Sequence, residues 1–310
     1  MVDRIHRLSR WVHSILAIAL MGATATIRPA ASPVTSDVGV LVLAHGGSSR
    51  WNHTVEQAVQ TAHLPYPTAT AFGMAMEPDE VQRIQRAVDR LQQQGVHRLI
   101  VVPLLVSSFS EVMRQFQYVL GLAPRGPWQE HIQPVRLQVP VVMTLPLDDD
   151  PVVSEILLER ALALSQAPTQ ENVVLVAHGP VSDEDNTQWL AVMNRLAQRV
   201  QHAGHFRAVV AATLRDDAPD SVQAQAAREL RELVQAQSQQ GRTLVIPLLL
   251  AQGGIEQKIP KYLNHVAYVY TGEPLLPHPK LSQWIEAQVA QAVSRVDSQL
   301  AASSGVEKIR

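Results

Sequence analysis

Short continuous apolar runs punctuate the chain, and each leads into a longer stretch whose apolar residues recur at helical spacing. Runs of the first kind include Val40-Leu41-Val42-Leu43, Leu99-Ile100-Val101-Val102, Val173-Val174-Leu175-Val176 and Leu244-Val245-Ile246. Continuous rather than alternating apolarity predicts parallel strands buried on both faces. Between runs, Val81, Ile84, Val88 and Leu91 stand three and four residues apart, the stripe of an amphipathic helix. Strands alternating with helices predict an α/β architecture of parallel sheets with right-handed crossovers.

The pattern occurs twice. Leu41-Val42-Leu43-Ala44-His45-Gly46 returns as Val174-Leu175-Val176-Ala177-His178-Gly179. Glu77-Pro78-Asp79 returns as Ala218-Pro219-Asp220, and Val102-Pro103-Leu104-Leu105 as Ile246-Pro247-Leu248-Leu249. Asp150-Pro151 is matched by His278-Pro279. Four landmarks in the same order imply a duplication. Each copy reads strand-helix four times over, with lobes spanning 38–164 and 172–295 and a flexible tail over 296–310. The polar stretch Ser165-Gln166-Ala167-Pro168-Thr169-Gln170-Glu171 marks the boundary, and a loop over 124–131 belongs to the first copy alone.

Ahead of the lobes, Arg4, Arg7 and Arg10 precede an apolar run from Trp11 to Met21, followed by Ala23-Thr24-Ala25. A basic start, a short apolar core and an Ala-x-Ala site predict a signal peptide over 1–31 and export, to the periplasm in a bacterial cell. The chain is cytoplasmic if that segment is not a signal. The run is short of the roughly 20 residues a spanning helix needs, and no other segment predicts a membrane partner.

Composition narrows the chemistry. With 46% apolar and 17% charged residues the 310-residue chain is globular, and a formal charge of −2 gives no footprint for nucleic acid. There is no cysteine. A metal must therefore be held by His, Asp or Glu. No Gly-rich nucleotide fingerprint or Walker pattern occurs, so no nucleotide cofactor is expected. Whether the chain is a monomer or a homo-oligomer is left open.

Ligands of open parallel sheets bind beyond the carboxyl ends of the strands, where His45 and His178 each end the first strand of a copy. The third strands run out into Ser107-Ser108-Phe109-Ser110-Glu111 and Ala251-Gln252-Gly253-Gly254-Ile255-Glu256. A His/Glu pair can hold a divalent ion and accept protons, so His45, Glu111, His178 and Glu256 are the candidate metal ligands and bases. Each glutamate is equally explained as a helix-start residue favoured by the helix dipole. Ser48 in the open Gly46-Gly47-Ser48-Ser49 loop, Phe109 as an apolar wall, and Gly253 and Gly254 as points of close approach are candidate ligand contacts. Asp148-Asp149-Asp150 and Asp216-Asp217 read as helix caps. His53, His63, His97, His131, His202, His205 and His265 show no ligand spacing and read as surface or packing residues.

Leu43-Ala44-His45-Gly46, Phe72 with Glu77-Pro78, Val102-Pro103-Leu104 with its serine-rich exit, and Leu276-Pro277-His278-Pro279 together resemble the CbiX/SirB family of type II chelatases. The resemblance covers the chain after residue 37. It implies two similar lobes facing a cleft, and ATP-independent insertion of a divalent metal (cobalt, nickel or iron) into a sirohydrochlorin-type tetrapyrrole. The metal is then substrate, and the site belongs to cobalamin or other tetrapyrrole synthesis. It further implies that a histidine at the position of His45 or His178 binds metal and takes pyrrole protons, helped from the third-strand exit. Short family members carry a second histidine at that exit, where this chain has Phe109 to Glu111 and Ile255 to Glu256. Either a glutamate substitutes, or an exported protein binds metal or tetrapyrrole without turnover.

Overall fold

The computed structural model describes residues 37–124 and 131–306, with side chains as far as residue 299. The proposed signal segment and the centre of the 124–131 loop lie outside the described residues.

The first copy contributes β1 (Val38–Ala44), α1 (Ser49–Thr61), β2 (Thr68–Phe72), α2 (Pro78–Gln93), β3 (Arg98–Pro103), α3 (Glu111–Val119), β4 (Val141–Met143) and α4 (Pro151–Leu164). After a short 3-10 turn the second contributes β5 (Glu171–Ala177), α5 (Asp183–Gly204), β6 (Ala208–Thr213), α6 (Asp220–Gln240), β7 (Arg242–Leu248), α7 (Ile255–Tyr262) and α8 (Pro279–Val306). Local chemistry sets many of the boundaries. Ser48, Ser110 and Ser182 cap α1, α3 and α5 by accepting from backbone N–H groups, and Asp150 does so for α4 ahead of Pro151. Glu77 and Glu80 form a reciprocal capping box at α2, with Pro78 in its first turn.

Two all-parallel sheets result, ordered β2-β1-β3-β4 and β6-β5-β7. The fourth strand expected in the second copy is reduced to one bridge, Leu244 with Val269. Two backbone bonds of 2.9 Å hold it, Val245 N–H to the Val269 carbonyl and Val269 N–H to that of Thr243. Just beyond, the Tyr270 hydroxyl donates to the Glu256 carbonyl, so that side chain is tied to α7 as the ladder ends.

Strand alternation sends residues to different cores. Val40, Val42 and Ala44 of β1 join Val173, Leu175 and Ala177 of β5 in one shared core. Leu41 and Leu43 face α2 and α3, and Val174 and Val176 face α6 and α7. The shared core holds α1, α4, α5 and α8, and its helices are exchanged. The last helix of the first copy, α4, packs on α5 and β7, while the last helix of the second, α8, packs on α1 and β3. Trp284 of α8 donates to Asp150 at 3.1 Å, and Lys280 and His278 bind Glu159 of α4. Neither copy covers the inner face of its own sheet alone.

The tail expected over 296–310 continues α8 through residue 306. The apolar stripe persists to Val296, which packs against the shared core, and Asp297 accepts from Arg98 at 3.0 Å. Among the described residues, no helix is long and apolar enough to cross a membrane.

Candidate metal and tetrapyrrole site

β1 and β5 end in the same local device. Gly46 and Gly179 follow the two histidines with φ of +81° and +77°, a region that side chains resist. At Gly179 any Cβ would stand 2.6 Å from the Thr213 Cβ, so only glycine fits against β6. The turned carbonyls accept from the imidazoles: His45 Nδ1–H donates to Gly46 O, and His178 Nδ1–H to Gly179 O at 2.8 Å. A proton held on Nδ1 leaves Nε2 with its lone pair in the neutral ring, the form that binds metals and accepts protons.

The second lobe's histidine acts on that of the first. His45 has its pKa lowered, first by desolvation in the surrounding protein. The bond to Gly46 opposes this, the charge of His178 lowers it further, and Asp217 raises it. The His45 surface is nevertheless open to solvent, as for a ring walled by protein within a cleft. It stays neutral at neutral pH. The ring lies against Trp51 of α1, tilted by 36° with centroids 4.5 Å apart.

On the second lobe His178 has acidic company, Asp216 and Asp217, whose sequence pattern is that of helix caps. Asp217 Oδ2 lies 3.4 Å from His178 Nε2, and ligand atoms of His178, Asp216 and Asp217 lie within 4.8 Å of one another. Neither aspartate caps α6, whose N-cap is Pro219. Arg215 explains their placement. In a left-handed conformation (φ +54°), its backbone N–H donates to the His178 carbonyl at 2.6 Å. Its buried guanidinium donates to the Pro180 and Val181 carbonyls and to Asp183. The β6 exit is thus stapled to the histidine loop. Asp216 also accepts from Lys258 of α7 at 2.5 Å, while its Oδ1 is buried without a hydrogen-bond partner.

The two expected glutamates are used differently. Glu256 Oε2 accepts from the N–H groups of Gly253 (3.2 Å) and Gly254 (2.9 Å), which folds the carboxylate onto its own loop. Glu111 is exposed in the first turn of α3, and neither glutamate joins the one cluster of three potential ligands among the described residues. The helix-start alternative accounts for both. Gly253 answers a close approach by protein, since a Cβ there would meet Trp51 at 3.2 Å. Gly254 begins α7 with φ +111° in open space. Ser48 is spent as a helix cap. Phe109 stays half-exposed at the β3 exit. Exposed Met74, Leu145 and Val181 follow the carboxyl ends of β2, β4 and β5, which adds apolar surface to the edges that carry the histidines. A groove of about 600 Å³ between α5, β6 and α6 meets this region through Asp183, Thr213 and Arg215 and is lined by neither histidine.

The CbiX family model matches residues 39–164 and again 172–292. Among solved structures, SirB from Bacillus subtilis with Fe3+ aligns with a TM-score of 0.58 at 19% identity, over 84% of this chain and 98% of that one. CbiX, described as the terminal enzyme for biosynthesis of siroheme in denitrifying bacteria, aligns at 0.51 and 18% identity over 82% of this chain and 99% of that one. A multi-domain Deinococcus radiodurans protein described as structurally similar to chelatases aligns at 0.51 and 19%, over 83% of this chain and 56% of its own. Comparison with curated proteins finds no match.

Proposed function

As the chain belongs to the CbiX family, we propose that it inserts a divalent metal into a sirohydrochlorin-type tetrapyrrole in the cleft faced by His45 and His178, without ATP. The observation that carries this reading is the paired His-Gly turn, which leaves two Nε2 atoms available in one electrostatic neighbourhood. Insertion replaces two pyrrole N–H protons by one M2+, so the site must bind an ion and also take protons. Neutral imidazoles do both, and Asp217, 70% exposed, connects His178 to solvent. Met74, Leu145 and half-exposed Phe109 are suited to cover a flat conjugated ring. Cobalt, nickel and iron all accept this nitrogen and oxygen set, and the Bacillus relative is described with iron.

A second reading, ligand binding without turnover, is favoured by the use of Glu256 on its own loop, which leaves the β7 exit without a free carboxylate there. We also propose, from the pattern over 1–31, that the chain is exported. The deciding measurement mixes purified protein with sirohydrochlorin and Co2+, Ni2+ or Fe2+ and follows the macrocycle absorbance. Metallation above the uncatalysed rate, reduced at least tenfold by His45→Ala and by His178→Ala, is the expected result. Tetrapyrrole binding with no acceleration establishes the second reading instead.

A further inference from the structure

Every serine at the β3 exit is engaged in holding the backbone around Phe109. Ser107 Oγ accepts from the Phe109 N–H at 3.1 Å, and Ser110 Oγ accepts from the Met113 N–H at the start of α3. Ser108, between them, is held from outside the loop. Its N–H donates to Asp148 Oδ1 at 2.7 Å and its hydroxyl to Asp148 Oδ2 at 2.5 Å. The side chain so presented, that of Phe109, is half-exposed.

Asp148 does this from an unusual backbone position. Its φ is +42°, in the left-handed region that side chains other than Asn and Asp rarely adopt. Of the aspartates at 148, 149 and 150, the last alone caps a helix. Asp149 instead accepts from Arg195 Nε of α5 at 2.7 Å, and its carbonyl accepts from Arg199. The β3 exit is thus tied, through two adjacent residues, to the helix that follows the His178 loop. The second lobe differs. Leu276 holds the register of Asp148, since its N–H donates to the Leu250 carbonyl as that of Asp148 does to Val106. Leu276 offers no carboxylate, and the loop beside it carries Gly253-Gly254 in place of an aromatic. Glu256 folds onto that loop from within. Of the two third-strand exits, the one that presents an aromatic side chain is the one anchored from its neighbour.

We propose that Asp148 is a positioning residue for the tetrapyrrole. By fastening Ser108 it sets Phe109 as a preformed wall for the flat ring, and so governs affinity for the macrocycle and not for the metal. A wall fixed before the ring arrives removes the ordering cost of a mobile loop at binding. The ligand's identity rests on the chelatase reading; the bonds to Ser108 do not.

The test titrates the full chain with sirohydrochlorin alone, read by macrocycle absorbance, with metallation and Co2+ binding measured separately. Asp148→Gly deletes both bonds and keeps positive φ accessible. Asp148→Asn also tolerates positive φ, and it can still accept from the Ser108 N–H and donate to the Ser108 hydroxyl. Asp148→Gly should weaken ring binding about tenfold and raise KM for the ring, with kcat within about twofold and Co2+ binding unchanged. Asp148→Asn should recover affinity to within about threefold of the parent. Phe109→Ala should weaken ring binding by a similar factor to Asp148→Gly. Combining the two should cost little more, because a residue that acts through Phe109 then has nothing left to position. A general loss of stability would multiply with Phe109→Ala instead. Ring binding by Asp148→Gly equal to the parent's, or losses that multiply in the double variant, overturns the proposal and leaves the chelatase reading standing. Ring binding without metallation in the parent, with the same ranking of variants, supports the positioning role and removes the chelatase reading. No ring binding by the parent overturns both.

Discussion

Arg114 of α3 and Asp185 of α5 face each other across the two lobes as a two-toothed pair, Nη1 to Oδ1 at 3.0 Å and Nη2 to Oδ2 at 2.8 Å. The bond ties the start of the helix after β5 to the helix after β3. Those are the elements that leave the candidate site on either side.

This pair gives a pH-dependent prediction. The Arg114 hydrogen bond holds the Asp185 carboxyl below its ordinary 3.8. A depressed carboxylate stabilises the fold above the unfolded value and loses that contribution as pH falls through the lower folded value. Arg114 is 45% exposed, so solvent screening limits the pair to about 0.5–1 kcal/mol. Arg114→Met should lower the urea midpoint at pH 7. The gap to the parent should close as pH falls below 3.8, as read by urea titration at a series of pH values. A gap that persists at the lowest pH at which the parent folds assigns the effect to packing.

His45 should titrate below 6.5, since desolvation and the neighbouring His178 charge both favour its neutral form. Removing that charge with His178→Ala should move the midpoint upward. Removing the opposing carboxylate with Asp217→Asn should move it further down. The histidine Cε1–H resonance of His45 reports all three. A midpoint unchanged by either substitution would separate the two histidines electrostatically.

Gly179 and Gly46 share a backbone conformation but not a neighbourhood. Alanine at 179 combines positive φ with a Cβ approach of 2.6 Å, whereas at 46 the nearest atom is 3.1 Å away. Gly179→Ala should cost about 3 kcal/mol and Gly46→Ala about 1 kcal/mol. Thermal melts rank them, and equal losses would show that the Thr213 contact relaxes freely.

Much of this arrangement was legible in the chain. Continuous runs such as Val173-Val174-Leu175-Val176 mark central strands, because a strand covered on both faces has no polar side to show. The His-Gly pairs were legible for the same reason, since they end those runs in both copies. Asp216 and Asp217 are not legible as neighbours of His178, because acids before Pro219-Asp220 look like helix caps and their nearness to the histidine depends on how β5 and β6 align. The exchange of α4 and α8 leaves no mark. An apolar stripe states that a helix face is buried and is silent on which sheet buries it.

That exchange predicts the behaviour of half the chain. Residues 38–164 alone retain α4 but lose α8, which covers β3 and α1. Their inner sheet face, with Val40, Val42 and Ala44, matches the β5 face that α4 normally meets. The isolated half should therefore assemble as a dimer with α4 crossing reciprocally between protomers. Sedimentation equilibrium measures this, and a stable folded monomer would refute it.

The same crossing sets a clock on the ribosome. The first sheet is translated early, yet α8, which seals its inner face, comes after every strand of the second sheet. Arg98 must wait for Asp297, 199 residues downstream, and Asp150 waits for Trp284, 134 residues on. Contacts of that separation are slow to form and leave apolar surface bare while synthesis continues. Until α8 has been made, the inner face of the first sheet lacks its cover, so the first half completes its fold only after much of the second has been synthesised.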